Sequence, residues 1–165
     1  MTQSTATIES VWASKGNSSN SAIVATADAK YPALDGSLIT NINSADAKLV
    51  TFILPCASED GSASVATGVV TFRVPSAFTL TGVRASCKLA PTGSTLIVDV
   101  NNGGTSVLST KLSVDIGETT STTAAVAAVI SSPTIADDAV ITIDIDQVGS
   151  TVAGTGVKVS LYGTT

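Results

Sequence analysis

From residue 48 onward, apolar and polar residues alternate in short runs that are separated by Gly, Pro, Asn and Asp. In the run 141–146, for example, three isoleucines alternate with Thr142, Asp144 and Asp146. A period of two residues is the pattern of a β-strand with one buried face, because successive side chains point to opposite faces of a sheet. No stretch has the 3.6-residue period of an amphipathic helix. The pattern therefore predicts an all-β domain.

About eight strands are predicted, and the turns between them have recognisable chemistry. Asn101–Gly104 supplies the positive φ values of a tight hairpin. The continuous apolar run Leu49–Leu54 predicts a strand buried on both faces. Residues 117–138 lack alternation and predict a crossing connection with a short strand near Val126–Ile130. Together these features favour an antiparallel two-sheet jelly-roll sandwich.

Gly82 interrupts the phase of one long predicted strand. Phe78 and Leu80 are apolar on one phase, whereas Ala85 and Cys87 are apolar on the other. One extra residue restores the same face, which is the effect of a β-bulge. We therefore predict a bulge and a bend at Gly82.

The first 45 residues differ from the rest, and residues 1–30 in particular are rich in Ser, Ala, Thr and Asn and have no sustained helical or strand period. They predict an extended N-terminal arm, residues 1–45, followed by the sandwich domain, residues 46–165. The isolated larger residues of the arm are candidate partner contacts: Ile8, Trp12, Ile23 and Tyr31. A large aromatic residue in a polar segment is typical of a side chain that anchors in a partner's pocket. The alternative is that Trp12, the only tryptophan, folds back on its own sandwich.

Charge and composition favour function by contact. Charged residues make up 13% of the chain, whereas free surfaces usually have about 25–35%. The net charge of −5 argues against binding to the nucleic-acid backbone, and no apolar run is long enough to predict a membrane span. The N-terminal residues do not have the pattern of a signal peptide. Aromatic residues, at 4%, provide few platforms for bases or sugars.

No constellation of residues predicts catalysis or a cofactor. The chain has no histidine, which excludes Ser-His-Asp and Cys-His sites. Asp144 and Asp146 share a strand face, but without further convergent oxygens they are interpreted as polar surface rather than as a metal or acid–base site. Arg84 and Lys88 are candidate cross-strand partners for these acids. We therefore predict a non-enzymatic protein with no metal and no cofactor.

The two cysteines, Cys56 and Cys87, are too far apart in sequence for a CxxC motif. Cys87 lies on an apolar strand phase, which predicts a buried free thiol. A disulfide to Cys56 requires the two strands to be neighbours, and the sequence leaves this open.

Several short segments occur in order between Val70 and Gly163. They are Phe72-Arg73-Val74-Pro75, Phe78-Thr79-Leu80-Thr81-Gly82-Val83-Arg84-Ala85-Ser86, Pro91-Thr92-Gly93-Ser94-Thr95, Val98-Asp99-Val100-Asn101, Ser106-Val107-Leu108-Ser109-Thr110-Lys111-Leu112, Ala136-Asp137-Asp138 and Ile143-Asp144-Ile145-Asp146-Gln147-Val148-Gly149-Ser150. In this order they resemble a jelly-roll domain of tailed-bacteriophage virion proteins. The resemblance covers a little over half of the chain. It implies a structural virion protein and brings no catalytic residues.

Two roles follow from this resemblance. The first is a capsid cement (decoration) protein, a homotrimer that binds the major capsid protein on the outside of the virion. The second is a receptor-binding or fibre module that recognises a host-surface glycan through loops such as Asn101–Gly104 and Val148–Gly156. The short chain, with no heptads for a coiled-coil shaft, favours the cement role. A third alternative, a secreted carbohydrate-binding module, is disfavoured by the missing signal-peptide pattern and the few aromatics.

Overall fold

The computed structural model describes residues 48–165, which lie within one compact unit, Ala45–Thr165. These residues are all-β: they form antiparallel strands and include no helix, and therefore no helix that could cross a membrane. The strands are β1 (Leu49–Pro55), β2 (Ala66–Arg73), β3 (Phe78–Ser86), β4 (Leu96–Asn102), β5 (Thr105–Ser106), β6 (Leu108–Thr110), β7 (Leu112–Val114), β8 (Val129–Ile130), β9 (Thr134–Ile135), β10 (Val140–Gln147) and β11 (Lys158–Thr164).

The eleven strands form two principal antiparallel sheets and a small third one. The first sheet has the order β1-β11-β3-β9, and the second has the order β2-β10-β4-β5, with β7 also paired to β4. Strands β6 and β8 form the third sheet. Five of the six long strands correspond to alternating runs of the sequence, and β1 corresponds to the continuous apolar run Leu49–Leu54. The additional strands are only two or three residues long, too short to produce a readable alternation.

The core lies between the two principal sheets. Alternate residues of β10 and β4 face it, and Ile143 and Val98 are fully buried. From the first sheet, Val159 and Leu161 on β11 pack into the same cluster. Phe52 is partly buried and lies 5.3 Å, centroid to centroid, from Phe72, so it joins the edge of one sheet to the edge of the other. Burial of this apolar surface is the main driving force for the fold.

The prediction that Leu49–Leu54 is buried on both faces is wrong. β1 is the edge strand of its sheet, and the side chains of Leu49 and Ile53 are 82% and 65% exposed. Only the alternate side chains turn inward, and Leu54 is the one of them that is buried. Hydropathy does not distinguish a central strand from an edge strand, because the difference depends on which strands become neighbours.

Two predicted turns take specific forms. The β4–β5 hairpin turns at Gly103 and Gly104, whose φ angles are 58° and 84°, while Asn102 remains in β4 and pairs with Thr105. Positive φ at both central residues is the geometry of a type I′ hairpin turn. In the 117–138 connection, the short strands are Val129–Ile130 and Thr134–Ile135.

Candidate functional site

The predicted arm, residues 1–45, lies outside the described residues, and so do its predicted partner contacts Ile8, Trp12, Ile23 and Tyr31.

Gly82 lies within β3, where the pairing with β11 is irregular. Tyr162 pairs with Gly82, but the next residue, Gly163, pairs with Leu80, which leaves Thr81 as the extra residue. Burial changes phase at this point, as a bulge requires.

One exposed apolar surface of the described residues is the edge strand β1, and we call Leu49–Pro55 the β1 edge. Its outward side chains include Leu49 and Ile53, and β11 is its single strand partner among the described residues. An unpaired strand edge presents backbone donors and acceptors to any extended chain that approaches it. The β1 edge is therefore a candidate contact surface for another protein segment.

A second feature is an ion cluster on the face of the second sheet that points away from the core. Lys111 Nζ lies 3.0 Å from Asp99 Oδ2 and 2.7 Å from Asp146 Oδ2. The Asp99 side chain is only 6% exposed, and it also accepts hydrogen bonds from Ser106 Oγ (2.6 Å) and from the backbone N–H of Val100 (2.8 Å). The hydrogen bonds to Asp146 and then to Asp99 raise the pKa of Lys111 above its ordinary value.

Asp144, on the same strand as Asp146, has different partners. Its Oδ1 accepts the backbone N–H of Gly68 at 2.7 Å, and its Oδ2 accepts from Asn101 Nδ2 at 2.9 Å. It thus holds β10 to the start of strand β2 and to β4. Within residues 48–165, no group of three or more acidic or cysteine side chains is arranged to hold a metal ion.

The predicted cross-strand pairing of Arg84 and Lys88 with Asp144 and Asp146 is wrong. The Arg84 guanidinium lies 5.4 Å from the ring centroid of Tyr162, and Lys88 pairs with Asp60. Arg84 lies on β3 of the first sheet and Lys88 lies in the loop after it, whereas the two acids lie on β10 of the second sheet. The basic partner of Asp146 is Lys111, which the sequence analysis did not single out.

An open groove of about 410 Å³ adjoins the ion cluster. Its lining combines apolar groups with hydroxyl, amide and charged groups, contributed by Thr95, Ile97, Thr110, Lys111, Ser113, Asp115, Ala125, Val126 and Gln147. Gln147 Nε2 donates to Thr95 O at 2.7 Å, so its orientation is held by the backbone. Val126, one of its lining residues, is 63% exposed.

The Gly-rich loop Val148–Gly156 is packed against the β3–β4 loop instead of forming a free hairpin. Backbone hydrogen bonds join Thr92 N to Val152 O (2.9 Å) and Thr155 N to Leu89 O (3.2 Å). Gly149, Gly154 and Gly156 are buried. The two loops are therefore held together by backbone hydrogen bonds, and the donors and acceptors used in these bonds are not available to a ligand.

Both cysteines are free thiols. Cys56 follows β1 and Cys87 follows β3, and β11 lies between these two strands. The Cα atoms of the two cysteines are thus two strand spacings of about 4.8 Å apart, which is more than the Cα separation across a disulfide. Burial raises the pKa of Cys56 to about 11 and also raises that of Cys87, so neither is an activated nucleophile at neutral pH.

Comparisons of this chain with protein-family models, with curated proteins and with solved structures found no match.

Proposed function

We propose that this chain is a structural virion protein that binds the outside of an icosahedral phage capsid and stabilises it. On this proposal it acts by contact, with no catalytic step and no cofactor. The major capsid protein is its partner, and the chain assembles as a homotrimer, as the resemblance to virion jelly rolls implies. Such a protein stabilises a shell by mass action, because it binds the assembled state and not the dissociated subunits.

The observation that carries the proposal is the sheet order. A jelly roll consists of eight strands in two four-stranded antiparallel sheets, wound as two Greek keys. The orders β1-β11-β3-β9 and β2-β10-β4-β5 support that winding, because the first and last long strands are neighbours in one sheet. The stretch that resembles virion jelly rolls, Val70–Gly163, contains most of these strands.

The surface chemistry also supports a role in assembly. The β1 edge has no charged residue, and Leu49 and Ile53 expose most of their side chains to solvent. Apolar surface of this kind is unfavourable in an isolated protein and favourable once a partner covers it. Residues 1–45, which we propose to be an arm that lies across neighbouring capsid subunits, enter the domain directly before this edge.

The proposal is tested with capsids that lack the protein, purified from the phage whose genome encodes the chain. The purified full chain is expected to bind in hundreds of copies spread over the head and to raise the melting temperature of the shell. A chain that lacks residues 1–30 is expected to stay folded, checked by circular dichroism, and to lose binding. Copies confined to a tail or a vertex would contradict the cement role. Full occupancy by the truncated chain would contradict the role of the arm.

The alternative is a receptor-binding or fibre module that recognises a host-surface glycan. One observation favours it: the lining of the groove beside Lys111 combines hydroxyl, amide and charged groups with apolar side chains such as Ile97. Small-molecule sites combine an apolar lining with a few placed polar groups in this way. Binding of fluorescent host polysaccharide that is lost in Gln147→Ala but kept in Lys88→Ala would favour this role.

A further inference from the structure

The hydrogen-bonding phase of β1 is set by two contacts at its ends. The N–H of Thr165 donates to Lys48 O at 3.1 Å, and the N–H of Cys56 donates to Val157 O at 2.8 Å. In an antiparallel pair, hydrogen-bonded and non-hydrogen-bonded residues alternate. The even-numbered residues of β1 therefore bond to β11, and the odd-numbered residues direct their backbone groups to the free edge.

The same odd-numbered residues have the exposed side chains. Leu49, Thr51 and Ile53 therefore direct their backbone N–H and C=O groups to the edge, and their side chains are exposed on the solvent face of the sheet. Natural edge strands are usually protected by charged residues or by proline. Here no charged residue occurs between Lys48 and Glu59, and Pro55 blocks only the last position. Within residues 48–165 no strand pairs with this edge, so it can accept a partner strand from Leu49 to Leu54.

We propose that a second copy of the chain pairs with this edge in the antiparallel direction. The two-fold axis that relates the copies passes midway between their Thr51 residues. In that register Thr51 lies opposite Thr51 of the partner subunit, and Leu49 lies opposite Ile53 of the partner subunit. Each of these is a hydrogen-bonded pair, because all three residues direct their backbone groups outward. The two exposed apolar residues cover each other twice, and the first sheet continues from one subunit into the next.

Two observations favour a second copy as the occupant. The edge is self-complementary, since Leu49 and Ile53 are equidistant from Thr51. It has no charge, so two copies meet without like charges in contact, although the chain has a net charge of −5.

The predicted contact is small, so its affinity is expected to be low. One strand pair buries less than the roughly 1,200 Å² of a stable interface, so we expect a weak dimer that forms in a concentration-dependent way. The same edge is cited in support of the proposed function, but this inference needs no capsid partner and is tested on the purified chain alone.

Disulfide trapping tests the register in the full chain with Cys56→Ser and Cys87→Ala as background. Residues in a hydrogen-bonded antiparallel pair have Cα atoms about 5.5 Å apart, which is a common Cα separation across a disulfide. Thr51→Cys is expected to form a covalent dimer under mild oxidation. Leu49→Cys and Ile53→Cys are each expected to remain monomeric alone and to cross-link when mixed. The matched control is Ser109→Cys, an exposed residue on β6 that is expected not to cross-link.

Sedimentation of the unmodified chain provides a second measurement. The dimer fraction is expected to rise with concentration and to fall at least tenfold in Ile53→Lys, which places a charge in the row. Leu89→Lys, at a residue that is 52% exposed in a loop, is the control and is expected to leave the dimer fraction unchanged. A chain that stays monomeric at millimolar concentration overturns the inference. So does a Thr51→Cys variant that cross-links no faster than Ser109→Cys, the result expected if another segment occupies the edge.

Discussion

Gly163 and Gly82 lie on facing strands at the same bulge, yet the structure constrains them differently. A Cβ atom on Gly163 would overlap the Phe78 ring and lie 2.6 Å from Thr79 O. A Cβ atom on Gly82 would lie 3.5 Å from Tyr162 Cδ2, which is ordinary van der Waals contact. Neither residue has a positive φ angle. The requirement for glycine is therefore steric, and it applies to Gly163.

Gly163→Ala is expected to lower the free energy of unfolding by about 1–3 kcal/mol, the usual cost of overpacking a filled site. Gly82→Ala is the matched control and is expected to change it by less than about 1 kcal/mol, because its φ angle and surroundings accept a methyl group. Urea unfolding of the three proteins measures both effects. Equal destabilisation by the two variants would contradict the steric account.

At the scale of elements, the ion cluster joins β4, β10 and the residue between β6 and β7. Asp99 on β4 is buried, and Lys111 is the cation that lies beside it. A buried carboxylate is costly unless it is paired and hydrogen-bonded. The cluster therefore makes the position of Lys111 important to the packing of the β6–β7 segment over the second sheet.

Lys111→Met is expected to cost about 1–3 kcal/mol of stability, because it leaves the Asp99 carboxylate with neutral donors only. Since the pKa of Lys111 is raised by folding, its contribution is fully present below the ordinary lysine pKa of about 10.4 and is lost as the pH rises above it. The difference in unfolding free energy between the native chain and Lys111→Met is therefore expected to shrink as the pH rises above the ordinary lysine pKa. Denaturant melts from pH 7 to 12 measure it.

Lys88→Met is the control for this prediction. Its partner Asp60 is 87% exposed, so this ion pair is expected to contribute less than about 1 kcal/mol. A loss in Lys88→Met as large as that in Lys111→Met would show that burial of Asp99 is not the cause.

At the scale of the whole molecule, the buried apolar residues of the described part form one cluster, from Leu54 to Leu161. A single shared core favours a cooperative all-or-none transition. Residues 46–165 produced alone are therefore expected to unfold in one transition, with a melting temperature within a few degrees of that of the full chain. Calorimetry checks this expectation, and a truncated chain without a transition would contradict it.

The sequence by itself determined the all-β class and the positions of the long strands. Alternation is a local property: in β10, Ile141, Ile143 and Ile145 face the core wherever the strand is placed. The same local phase change located the irregularity near Gly82. The role of the chain in a virion remains a proposal that follows from the resemblance and from contact chemistry.

Only the tertiary structure decided which strand lies at an edge and which polar groups are buried. The run Leu49–Leu54 has the hydropathy of a central strand, but it has one neighbour, β11, and so presents half of its side chains to solvent. Asp99 lies on a polar phase like Asp144, yet Ser106 and Lys111 cover it because the chain folds back after the Gly103–Gly104 turn. Burial and pairing depend on residues distant in sequence, and a strand's own sequence does not specify its neighbours.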